Sequence, residues 1–314
     1  MAGITTRTIA VGDVELFVHE AGDPEAPLVV LCHGFPELGY SWRHQLAPIA
    51  EAGYHVLAPD QRGYGRSSKP AEVTDYDILH LTGDVLGLID ATGHEKAAVI
   101  GHDWGSMVVW ALALLAPERL AGVIGMSVPF VPRGPMPPIQ MIRQVIGDGF
   151  FYMVYFQEPG VADAELAADT RRTMTRMLAG VKITDATDFD PATAFADDGR
   201  GFVDRMPEPA GLPGWLSQAE VDHYVEEFER SGFTGGINWY RNLDRNWELT
   251  PELAGAKVEI PARFIGGAQD PVLLMSPPSI QEGWLTDDRG TVLVDDAGHW
   301  VQQEKPAETN EAIL

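Results

Sequence analysis

Short continuous apolar runs alternate along this chain with stretches whose apolar residues recur at helical spacing. The runs "PLVVLCHG" (27–34), "YHVLAPD" (54–60), "KAAVIGHD" (96–103) and "LAGVIGMSVP" (120–129) are of the kind central strands produce. A strand covered on both faces has no polar side to alternate with. "VELFVHEAG" (14–22) has hairpin character instead. Between two of the runs, "DYDILHLTGDVLGLIDATG" (75–93) puts Ile78, Leu81, Val85, Leu88 and Ile89 on one helical face and ends at Gly93, which suits a C-terminal cap. Parallel strands need such a crossover helix.

Beyond "LAGVIGMSVP" this alternation breaks. From about residue 133 to 247 the chain is rich in aromatics, Met, Pro and acidic residues, and no buried strand is predicted. Helical pieces stand out, among them "SQAEVDHYVEEFERSG", where Ser217 and Glu220 form a capping-box signature. Strand signals resume with "IPARFIGGAQD" (260–270) and "GTVLVDDAGH" (290–299), and the final "PAETNEAIL" reads as the start of a helix, which is compatible with a longer natural C-terminus. The expected architecture is α/β: a mostly parallel central sheet with helices on both faces, built from residues 1–132 and 248–314, with a helical cap over 133–247. The cap joins at the carboxyl end of the sheet, where open α/β folds bind ligands. An active site is expected between core and cap.

Charge narrows the partners. A formal net charge of −24 repels phosphate backbones and anionic lipid surfaces. Nucleic acid and large polyanions are therefore poor candidates. The longest apolar stretch, "MVVWALALLA" (107–116), is far shorter than the roughly 18 residues a membrane-spanning helix needs. The N-terminal "MAGITTRTIAVGDVE" lacks a signal-peptide pattern, so a soluble, cytoplasmic protein is expected. The single cysteine, Cys32, lies inside an apolar run and is expected to be a buried, inert thiol. A homodimer is compatible with the sequence, which leaves the oligomeric state open.

Candidate chemistry centres on "GHDWG" (101–105), a G-x-nucleophile-x-G turn that follows a strand signal and precedes an apolar helix pattern. Its apex is Asp103. Aspartate is also a common helix N-cap, but capping does not explain the two flanking glycines. "LCHGFP" (31–36) leaves the central strand through a turn whose Phe35 N–H can face the same apex, or which is simply a packed turn. With the N–H of Trp104 it would form an oxyanion hole. "GGAQDPV" places Asp270, and "DDAGHW" places His299, just beyond strand signals. Singly, each is more often a turn former or a packed residue. Together they follow the nucleophile, acid, histidine order of α/β hydrolases. The other acid position that fold uses, after "GMSVPF", holds no carboxylate. His94, His102 and Asp103 fit no zinc spacing, and "GYGRSS" lacks the ending of a phosphate loop, so neither metal nor cofactor is expected.

The motifs "HGFPE", "DQRGYGRSS", "GHDWG", "YFQEPG", "NWYRN", "QDPVL" and "GHW", in that order from about residue 27 to 304, resemble those of α/β-hydrolase-fold epoxide hydrolases of the soluble type. The first three and the last occur in related dehalogenases too; "YFQEPG" and "NWYRN" point more narrowly. The resemblance implies that two cap tyrosines donate to the epoxide oxygen: Tyr152, three residues before the tyrosine of "YFQEPG", and Tyr240 in "NWYRN". Tyr155 is then a packing residue. It also implies a cis peptide before Pro36, and a small-molecule epoxide bound among Phe35, Trp104, Tyr152 and Tyr240. Asp103 would open the ring to an ester, and water activated by His299, itself oriented by Asp270, would release a vicinal diol. Two alternatives stand beside this. A haloalkane or haloacid dehalogenase would use the same Asp-His-Asp set, although Phe35 has no polar side chain to serve as second halide donor. A non-catalytic receptor would use only the pocket.

Overall fold

In a computed structural model, residues 3–180, 182 and 195–314 are described. The apolar runs form the centre of the sheet. Leu28–Cys32 (β3) and His55–Pro59 (β4) are buried at every position, and with Ala97–His102 (β5) and Leu120–Met126 (β6) they pair in parallel. Thr5–Val11 (β1) and Val14–Ala21 (β2) form an antiparallel hairpin on one side, and Val258–Gly267 (β7) and Leu285–Val294 (β8) extend the parallel ladder on the other. The eight strands run β1-β2-β4-β3-β5-β6-β7-β8.

Three boundaries differ from the sequence reading, each where apolar patterning is weak. β1 was not anticipated as a strand, because only Ile9 and Val11 on this edge are buried. β8 begins at Leu285 rather than at Gly290. Its "TDDRG" has no apolar pattern and is held by pairing with β7, as in Asp287 opposite Pro261. The crossover helix starts later than residue 75: a 3-10 turn covers Val73–Tyr76, then Asp77 accepts from His80 N and caps a helix over Ile78–Ala91. That helix buries the five apolar residues expected of it, and Gly93 follows with φ +76°.

Between β6 and β7 the described residues form helices and connecting turns but no strand. Gln218–Ser231 is capped by Ser217 and Glu220 as the sequence predicts. The last of these helices is Leu243–Leu249, and a 3-10 turn over Pro251–Leu253 follows it. Side chains tie this helical segment to the sheet-bearing part. Arg43 pairs with Glu220 at 2.7 Å, Arg66 with Glu227 at 2.9 Å, and the hydroxyls of Ser41 and Tyr224 meet at 2.7 Å. Trp239 Nε1 donates to Arg62 O at 3.1 Å. Cys32 is buried, and burial pushes its thiol pKa up to about 12, which leaves it unreactive. No helix among the described residues is long and apolar enough to cross a membrane.

Candidate active site

β5 ends at His102, and the chain turns through Asp103 at φ 52°, ψ −116° before the helix Trp104–Leu115 begins. A non-glycine residue at positive φ costs on the order of 1–3 kcal/mol, so the surroundings must impose the conformation. Glycines allow that. A Cβ on Gly101 would lie 2.1 Å from Gly105 O, and one on Gly105 would lie 2.0 Å from Cys32 O. Only with both positions bare does the helix close onto β5 and β3. Asp103 stands at the N-cap position, yet its side chain makes no capping bond. Its Oδ1 instead accepts from Phe35 N at 2.9 Å. A Cβ on Gly34 would fall 2.5 Å from that same oxygen, and the Phe35–Pro36 peptide is cis. The N–H of Trp104, in the first turn of the helix, lacks an intrahelical partner by position and adjoins Asp103.

Asp270 follows β7 in a turn, and its side chain is buried. Its Oδ1 accepts from Val272 N at 2.9 Å, while His299 Nδ1 lies 3.0 Å from Oδ2. The other ring nitrogen of His299, Nε2, lies 3.6 Å from Asp103 Oδ2. The structure thus brings the three residues together, with the imidazole between two carboxylates. Burial alone would drive the proton off His299, but Asp270 and Asp103 overcome it and raise its pKa well above the ordinary imidazole range. Burial likewise opposes the charge on Asp103. His299, His102 and the Phe35 N–H outweigh it and hold the carboxyl below its usual range.

Two further residues shape this site, and neither had been given a role. Glu37, in "HGFPE", is wholly buried beneath the elbow. Its Oε2 accepts from Gly34 N at 2.9 Å and meets His102 Nδ1 at 2.5 Å, and Gln302 and Gln303 donate to Oε1. Burial raises its pKa, but His102 and the Gly34 N–H bring it below the usual carboxylate value. His102 Nε2 in turn reaches His299 O at 2.7 Å. The second residue is Gln157 of "YFQEPG", whose amide donates to Tyr240 O at 3.0 Å, while Arg241 Nε returns a bond to Phe156 O at 3.0 Å. The two cap motifs are one hydrogen-bonded unit, which explains why both are present. The motifs contained these residues; their spacing carried no sign of the partners.

Tyr152 opens a short helix, Tyr152–Tyr155, and Tyr240 lies in Thr234–Arg241. Their ring centroids are 5.8 Å apart, and the Tyr240 ring stands edge-on to Phe35 at 5.5 Å and to Trp104 at 5.0 Å. Burial first, and the charge of Asp103 second, raise both phenol pKa values, so both hydroxyls keep their protons. Tyr155 packs against Phe150, the two rings tilted with centroids 5.3 Å apart, and its hydroxyl pairs with Glu165, apart from this cluster.

A sheet of this order, with an acid at the elbow and an Asp-His pair beyond the last two strands, defines a hydrolase of the α/β class. The sequence matches the alpha/beta hydrolase fold family over residues 27–306. It is 52% identical to epoxide hydrolase A of Mycobacterium tuberculosis, over 100% of this chain and 97% of that protein. It is 38% identical to epoxide hydrolase 3 of Siraitia grosvenorii, over 94% and 93%. The crystal structure of epoxide hydrolase A from Mycobacterium thermoresistibile superposes with a TM-score of 0.94 at 54% identity, covering 99% of this chain and 97% of that one. The chain belongs to the epoxide hydrolases of the α/β-hydrolase-fold family.

Proposed function

We propose that this protein hydrolyses small-molecule epoxides to vicinal diols in two steps, with Asp103 as nucleophile. An epoxide carbon is sp³, so attack by a serine would leave an ether that no histidine-activated water can cleave. A carboxylate leaves an ester, whose carbonyl can be attacked. Asp103, anionic at neutral pH, forms a bond to one ring carbon as the C–O bond breaks. Tyr152 and Tyr240 donate to the departing oxygen, and one of them delivers the proton. Esterification removes the negative charge that helped to hold the proton on His299. The imidazole then sheds it, restoring the phenol, and becomes the base that deprotonates water, with Asp270 holding its Nδ1–H. Hydroxide adds to the ester carbonyl, and the Phe35 and Trp104 N–H groups receive the oxyanion. Collapse expels the diol oxygen, which takes the proton of the newly formed acid, so Asp103 returns as a carboxylate and His299 is left protonated as at the start. All these groups belong to one chain, so a homodimer is not required for the chemistry.

The core is assigned to residues 1–132 and 248–314, and the cap, which brings Tyr152 and Tyr240, to 133–247. A cytoplasmic location fits a chain whose single thiol is buried. One arrangement carries the functional reading: the elbow carboxylate of Asp103 takes the Phe35 N–H at 2.9 Å, and the Tyr240 ring stands edge-on to Phe35 and Trp104 and 5.8 Å from the ring of Tyr152. Incubation with styrene oxide and with a fatty-acid epoxide, followed by diol detection, tests it. Diol formation is expected; halide release from a bromoalkane without diol would replace it with the dehalogenase reading, and binding without turnover with the receptor reading.

A further inference from the structure

His299 needs a fixed backbone, because one imidazole must meet Asp270 and Asp103 at once. Its own carbonyl is held by His102 Nε2 and by Ser127 Oγ, the latter at 2.9 Å. The N–H groups of the residues on either side are held by a single carboxylate. Glu304 Oε2 accepts from Gly298 N and Oε1 from Trp300 N, each at 3.0 Å. The Glu304 side chain is only 4% exposed, a position where an unpaired charge is costly. Lys182, from the segment between β6 and β7, supplies the counter-charge at 2.6 Å. Its Nζ also donates to Asp296 O at 2.7 Å, and its stem lies over Gly298, where a Cβ would come within 3.1 Å of Lys182 Cγ. From the same segment, Met177 O accepts from Trp300 Nε1 at 3.0 Å.

We infer that Glu304 is a positioning residue for His299, clamping the histidine-bearing loop by the N–H groups of both neighbouring residues, and that Lys182 completes the clamp. This rests on the two-step reaction above, in which His299 serves ester hydrolysis. The clamp should therefore matter for the second step far more than for the first. A glutamine at 304 can accept one of the two N–H groups, but its own NH₂ then faces the other and the Lys182 ammonium.

The test is single-turnover kinetics with styrene oxide, following alkylation and its decay by intact-protein mass, in wild type, Glu304→Gln, Lys182→Met and His299→Gln. Glu304→Gln is expected to alkylate within about twofold of wild type and to lose roughly ten- to hundredfold in ester hydrolysis, the scale at which small misplacements act. Lys182→Met is expected to lose less, in the same step. Wild-type hydrolysis rates in a folded Glu304→Gln protein, or equal losses in both steps, would overturn the inference whatever happens to thermal stability. If Glu304→Gln does not fold, Glu304→Asp decides in the same assay, because its shorter carboxylate keeps the charge but cannot span both N–H groups. Absence of any adduct in His299→Gln would instead overturn the two-step reading itself.

Discussion

The Nε2 of His299 lies 3.6 Å from Oδ2 of Asp103, an ion-pair distance beyond that of a formed hydrogen bond. At this separation the charge on Asp103 helps to set the proton affinity of His299 without a shared proton tying the nucleophile down. Esterifying Asp103 therefore changes what His299 can do. The resting pair suits attack on the epoxide, and the esterified state suits activation of water.

The first consequence concerns His299→Gln. Alkylation should survive and hydrolysis fail, so steady-state turnover should fall by roughly 10⁴–10⁶, the range seen when a member of such a triad is removed. Intact-protein mass should rise by the mass of the substrate, and peptide mapping should place the addition on Asp103.

The tyrosines act in the other step. Tyr152→Phe and Tyr240→Phe singly should slow alkylation, and the double variant should suppress it by about 10²–10⁴, the range of general acid catalysis. Quenched single turnovers check this. Undiminished adduct formation in the double variant would remove both as donors, and Tyr155→Phe, which loses only its pairing with Glu165, should alkylate normally.

Stability should depend on pH through His299. Its folded-state pKa is raised above an unfolded value of about 6.5, so the stabilisation is fully present below that value and is lost as pH rises through the folded pKa. The difference in unfolding free energy between wild type and His299→Gln should therefore shrink from about pH 6 upward, at up to about 1.4 kcal/mol per pH unit between the two pKa values. Denaturant melts across that range measure it. A difference that grows with pH would contradict the sign.

Glu37→Gln should destabilise the fold, because an amide cannot accept at both ends, as the carboxylate does from Gly34 N at one oxygen and from Gln302 and Gln303 at the other. A buried hydrogen-bonding group left unsatisfied costs about 1–3 kcal/mol. Urea unfolding monitored by tryptophan fluorescence reads the loss directly.

How much of this was legible in the sequence follows physical lines. Strands buried on both faces, such as β3, β4 and β5, write continuous apolar runs and were read closely. β1 and the first half of β8 are exposed edges, held by backbone pairing that leaves no apolar pattern. The elbow was legible because its glycines answer to steric contacts near 2 Å that no side chain can satisfy. Asp270 and His299 were legible from chain order. Glu37, Gln157 and Glu304 were not, since a polar residue looks the same in sequence whether it is solvated or buried among partners. Their roles depend on contacts such as Glu37 with His102, which join positions distant along the chain.

The central claim is that water attacks the Asp103 ester and not the epoxide. A single turnover in H₂¹⁸O with enzyme in excess, followed by mass analysis of both the diol and the peptide containing Asp103, tests it most directly. The expected result is ¹⁸O in the Asp103 carboxylate and none in the diol. Label in the diol with an unlabelled Asp103 would show that water opens the ring directly, and would contradict the ester mechanism.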